Sequence, residues 1–144
     1  MIRRGAAILG MAWSVAALTA VAMSAQSGSI RTELEGAWQA RTVEQDGKPA
    51  PPETVARTRY TFKGRQLLVR GNYATDREDE MTVAANAGET PGSLDLTDVN
   101  GYETVGIYEI KGDVLTICLS RSERPAECRA GMPRVTRIVF ARIK

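Results

Sequence analysis

From Ser29 onward the chain reads as short stretches of alternating apolar and polar residues broken by tight-turn signals, with no amphipathic helical pattern long enough to build a second layer. A chain of this kind has few ways to bury its apolar face. It predicts an all-β fold, an eight-stranded antiparallel up-and-down barrel, because closing a meander on itself removes both unpaired edges.

The N-terminus reads differently. Arg3 and Arg4 precede an unbroken apolar and small run from Gly5 to Met23, ending in the small-x-small triplets Ala20-Val21-Ala22 and Met23-Ser24-Ala25. This is the three-part form of a secretory signal, so cleavage is expected near Ala22 to Ala25. The run of about 18 residues, mostly Ala, Val and Leu, is barely long enough to span a bilayer, and Ala contributes little transfer energy. The predicted organisation is a signal peptide over 1–25, a linker over 26–33 and one barrel domain over 34–144, exported to the periplasm or the extracellular space. The 19 basic and 17 acidic residues become equal in number once Arg3 and Arg4 are removed. A formally neutral mature chain gives no reason to expect nucleic acid or an anionic membrane as partner.

Turn spacing then fixes registers. A two-residue turn at Gly64-Arg65 sets Phe62 opposite Leu67 and Tyr60 opposite Val69. One at Gly112-Asp113 sets Ile110 opposite Leu115, Tyr108 opposite Ile117 and Gly106 opposite Leu119, leaving Glu109, Thr116 and Cys118 outside. On the first strand the alternation places Trp38, Ala40 and Thr42 on one face, and Gln45 to Pro49 ends that strand. Strand starts are expected near residues 37, 57, 66, 78, 93, 103, 114 and 135. Eight strands suit a barrel that is either filled by side chains or holds one small ligand. The two longest connections, Gln45 to Ala56 and Ser120 to Arg134, fall at the same end.

Trp38 begins the first strand and Arg142 ends the last. In a closed meander these strands are antiparallel neighbours, so the guanidinium can stack on the indole and close the barrel floor. Gly36-Ala37-Trp38 resembles the Gly-x-Trp signature of lipocalin-like proteins, in which a basic residue of the last strand packs over the ring. A more specific resemblance lies in Glu44-Gln45-Asp46-Gly47-Lys48-Pro49 and in the block from Gly106 to Cys118, followed by Arg124-Pro125. These look like an uncharacterised lipocalin-like domain family first recognised as a paralogous group in planctomycete genomes. The resemblance covers about Leu34 to Lys144 and implies a secreted or envelope β-barrel, with no activity attached. Cys128 departs from the family pattern, where an aromatic residue is expected.

Cys118 and Cys128 lie ten apart in a chain expected to meet an oxidising compartment, which makes them a candidate structural disulfide; two unpaired thiols are the alternative. The chain has no histidine. That excludes Ser-His and Cys-His nucleophile pairs and His-ligated zinc or haem, and no cofactor or metal is called for. The run Asp76, Glu78, Asp79, Glu80 lacks the spacing of a calcium loop and reads as a solvated edge.

Tyr60, Val69, Tyr108, Ile117 and Phe140 are the candidate lining of an interior site for a small apolar or amphipathic ligand, and equally the candidate filling of a small barrel. Arg121, Arg124, Arg129 and Arg134, against Glu123 and Glu127, make the long second connection modestly basic, which reads either as a mouth suited to a carboxylate or phosphate or as ordinary solvated loop charge. The leading expectation is an exported, non-catalytic barrel binding such a ligand. The alternative is a filled barrel serving as a structural or protein-interaction module of the cell envelope.

Overall fold

A computed structural model describes residues 33–71, 77–88 and 90–144. The expected signal segment and all but the last residue of the linker lie outside the described residues. Nine strands and one short helix follow in order: β1 (Gly36–Gln45), β2 (Lys48–Pro49), α1 (Pro52–Arg57), β3 (Arg59–Lys63), β4 (Gln66–Arg70), β5 (Glu78–Asn86), β6 (Gly92–Asp98), β7 (Glu103–Lys111), β8 (Val114–Ser120) and β9 (Thr136–Arg142). Each strand from β3 to β9 pairs with the next, and β1 pairs with both β3 and β9. The result is a closed eight-stranded antiparallel up-and-down barrel with β2 as a small outer strand, so the fold expected from the alternation is the fold observed.

The registers follow the turns. Tyr60 faces Val69 and Phe62 faces Leu67. Gly106, Tyr108 and Ile110 face Leu119, Ile117 and Leu115. Gly64 and Gly112 both adopt the positive φ that such turns need. Strands β1 and β9 zip together from Trp38↔Arg142 to Gln45↔Thr136.

Two local readings are corrected. Thr42 does not share a face with Trp38 and Ala40: a β-bulge between Ala40 and Thr42 inserts Arg41 as an extra residue. The bulge restores Val43 to the interior opposite Ile138 and leaves Thr42 exposed. Arg57, expected to open the second barrel strand, instead ends α1. Pro51 and Pro52 enter that helix where a missing N–H costs nothing, and Thr58 closes it by donating its N–H and hydroxyl to the Thr54 carbonyl. The segment Gln45 to Pro49 also does more than end β1. Asp46 and Gly47, both at positive φ, turn the chain back so that Lys48 and Pro49 pair with Gln45 and Glu44.

Candidate functional site

The five candidate lining residues come together inside the barrel. Tyr60, Val69, Tyr108, Ile117 and Phe140 are all buried in one apolar cluster that also takes in Trp38, Phe62, Leu67, Leu94 and Leu115. The Tyr60 and Phe140 rings lie 4.8 Å apart between centroids, and Tyr60 meets Phe62 edge-on at 6.4 Å. Burial pushes the Tyr60 phenol up to about 12. Two inward positions lack a side chain to make room for large neighbours. A Cβ on Gly92 would stand 2.6 Å from the ring of Tyr108, its cross-strand partner, and one on Gly106 would stand 2.5 Å from the Cys118 carbonyl oxygen and 2.6 Å from the Leu119 side chain.

The floor is closed by residues from both ends of the described chain. The Arg142 guanidinium sits 4.1 Å from the Trp38 ring centroid, donating to the carbonyls of Glu33 (2.8 Å) and Glu35 (3.0 Å). The indole N–H of Trp38 donates to the Leu34 carbonyl at 2.9 Å, which holds the Leu34 side chain fully buried beneath the core. Asp113, on the β7–β8 turn, meets both Lys144 (2.9 Å) and Arg142 (3.6 Å). A hydrogen bond from Lys144, with its charge and then that of Arg142, lowers the Asp113 carboxyl below its ordinary range.

Cys118 and Cys128 form a disulfide with their Cα atoms 5.5 Å apart. Because Cys118 points outward from β8, the bond draws residues 121–135 down over the outer wall of the barrel. There Ile107, Cys118 and Val135 make a second small core with Cys128 and Met132. Two of the four arginines considered for a basic mouth are paired with acids here. Arg124 lies against the wall, donating to the Gly106 carbonyl (2.8 Å) and to Asp95 (2.6 Å), and Arg129 pairs with Glu127 (2.8 Å). Arg134 supplies its backbone N–H to Asp46 at 2.7 Å. That contact, with Gly131 N–H on Glu44 (3.1 Å) and Asp46 N–H on the Val135 carbonyl (3.2 Å), locks the two long connections into one surface.

Two further features lie at that end of the barrel. The β6–β7 turn is pinned by Asp98, whose carboxylate accepts the N–H groups of Asn100 (2.9 Å) and Tyr102 (3.0 Å), and it leaves Val99 and Tyr102 82% and 74% exposed. A groove of about 410 Å³ opens where β1, past its bulge, diverges from β3; Val43, Ala50, Val55 and Ala56 form its walls together with Pro49 and Pro52. Neither feature was foreseen from the sequence. Of the acidic run, Asp76 lies outside the described residues; Glu78 and Glu80 are exposed, and Asp79, opposite Val69, pairs with Arg77 at 3.0 Å.

The class that this geometry defines is a closed antiparallel β-barrel with a packed interior. No family model, curated protein or solved structure matches the chain.

Proposed function

We propose that this is an exported, non-catalytic barrel of the cell envelope or its surroundings that acts through its outer surface, as a structural or protein-interaction module. The observation that carries this reading is the mutual packing of Tyr60, Val69, Tyr108, Ile117 and Phe140, each at most 5% exposed, where an interior ligand would have to sit. Interiors packed at native density hold few voids larger than a water molecule. The packing favours the filled barrel over the interior binding site.

The working surface in this reading is the pair of interlocked connections, residues 46–58 and 121–135. A disulfide stapling the second connection suits an oxidising compartment. The kinship with lipocalin-like envelope proteins, carried by Gly36-Ala37-Trp38 and the Gly106 to Cys118 block, belongs to the same proposal.

The test is a photo-crosslinking side chain placed in the producing cell at Glu127, on the interlocked surface, and separately at Lys63, on the floor. A discrete cross-linked protein from position 127 and none from 63 is the expected result. Recovery of the protein with a stoichiometric small molecule, whose removal shifts the resonances of Tyr60 and Tyr108, would overturn the reading.

A further inference from the structure

The groove beside α1 has a chemistry of its own. β1 pairs with β3 only as far as Gln39↔Arg59; beyond that point the space between them is bridged by the return of residues 50–58. Ala50 N–H donates to the Val43 carbonyl at 2.8 Å, and the Gln39 side-chain amide donates to the carbonyls of Val55 and Ala56 (both 3.2 Å) and Thr58 (3.1 Å). These bonds hold the groove open as part of the frame. Its base is Val43, itself buried, with Ala50 and Val55 packed against the barrel core behind it. A volume of about 410 Å³ with mainly apolar walls falls in the range of small-molecule sites.

The bulge decides the electrostatics. By inserting one residue it takes Arg41 out of the strand's alternation and leaves it exposed on the groove. Of the described residues that line the groove, Arg41 alone carries a charge, and it makes no ion pair among the described residues. Glu53, the acid of α1, is not part of the lining. The neighbouring acid on β1, Glu44, is already engaged with Gly131 N–H and with Arg137 (3.6 Å). An apolar slot with a single uncompensated cation at its rim is complementary to a molecule with an alkyl body and one anionic head.

We propose that this groove binds a small free amphiphile carrying a single carboxylate, with its chain laid between Val43 and Val55 and its head on Arg41. The site lies outside the barrel interior, so the inference goes beyond the reading of the fold as a filled module and does not depend on it.

Titration of the mature protein with decanoate, followed by calorimetry and backbone amide shifts, tests the proposal; decanol and decyltrimethylammonium serve as neutral and cationic probes of equal chain length. Saturable decanoate binding is expected, with shifts at Val43, Ala50, Val55 and Ala56, weaker decanol binding and none by the cation. Arg41→Ala should weaken decanoate about tenfold, as loss of one charge-assisted contact implies, and leave decanol unchanged. Ala56→Trp, at an exposed position, should block both neutral and anionic probes while the melting temperature holds; Thr42→Trp replaces it should that variant fail to fold. Absence of saturation below about 1 mM, a level corresponding to some 4 kcal/mol of binding, overturns the proposal. Equal affinity in Arg41→Ala or for the cationic probe overturns it as well. Shifts centred on Tyr60 and Tyr108 would overturn both this site and the filled-barrel reading, whereas simple absence of binding leaves the latter standing.

Discussion

Arg142 and Trp38 face each other across the β1–β9 seam, with the guanidinium 4.1 Å from the centre of the indole. The same guanidinium donates to two backbone carbonyls of the entering chain, at Glu33 and Glu35. A planar cation with several donors can stack and bond at once, which a lysine ammonium cannot do. Arg142→Lys should therefore cost about 1–2 kcal/mol and Arg142→Ala about 3 kcal/mol, from loss of the stacking and of charge-assisted bonds. Urea unfolding followed by Trp fluorescence measures both; equal stability of the lysine variant and the parent would rule out the stacked geometry.

The buried Tyr60 phenol predicts an alkaline limit to stability. Its ionisation lies near 12 in the fold, against 10.0 for an unperturbed tyrosine. The folded state thus holds its proton more tightly than the unfolded state. Stability from this group is fully present below pH 10 and is lost as pH rises from 10 to about 12, by roughly 3 kcal/mol at most. Absorbance at 295 nm during alkaline titration should show phenol ionisation coinciding with the loss of near-ultraviolet dichroism. Tyr60→Phe should move that unfolding to higher pH.

Gly92 and Tyr108 form a small-against-large pair across β6 and β7. Gly92→Ala places a methyl group 2.6 Å from the Tyr108 ring and 3.1 Å from the Asn86 carbonyl oxygen. Overpacking of this kind costs about 1–3 kcal/mol. Tyr108→Leu alone should also destabilise, by leaving space in the core. The double variant should recover part of the loss, giving a coupling energy of about 1 kcal/mol or more in a double-mutant cycle. Strict additivity would show that the two sites do not share the space.

Removing the disulfide by Cys118→Ala with Cys128→Ala should lower stability by about 2–3 kcal/mol on the loop-closure model. The loss should be local in its dynamics. Hydrogen exchange ought to quicken across residues 121–135 while the β3–β4 hairpin keeps its protection. Uniform acceleration over the whole barrel would contradict a loop held as a separate layer on the outer wall.

Much of the fold was legible in the residues because its information is local. A two-residue turn leaves one register open, so Gly64-Arg65 and Gly112-Asp113 each determined a hairpin by counting outward. Trp38↔Arg142 followed once closure was assumed, since closure makes the first and last strands partners. The bulge at Arg41 was not read, although a signal existed: Val43 breaks the alternation by being apolar one position past Thr42. Turn spacing identified residues 121–135 only as a long connection at one end of the barrel, without its path. An outward Cys118 bonded to Cys128 requires that loop to return over the outer wall, and the inference was within reach of the two assignments taken together. The groove beside α1 had no local signal. It arises where β1 and β3, neighbours in the meander, stop pairing beyond Gln39↔Arg59 and the intervening segment folds back between them, and periodicity carries no information about such a gap.

Entry at Glu33 and the final residue Lys144 lie on the same side of the molecule, next to each other, because β1 starts where β9 finishes. Tension applied to the two ends would separate the seam one ladder rung after another instead of sliding whole strands past each other. Forced opening of this barrel would begin at the Arg142 clasp, at modest load, and run toward Gln45 and Thr136. Mechanically the protein is a ring with a zip.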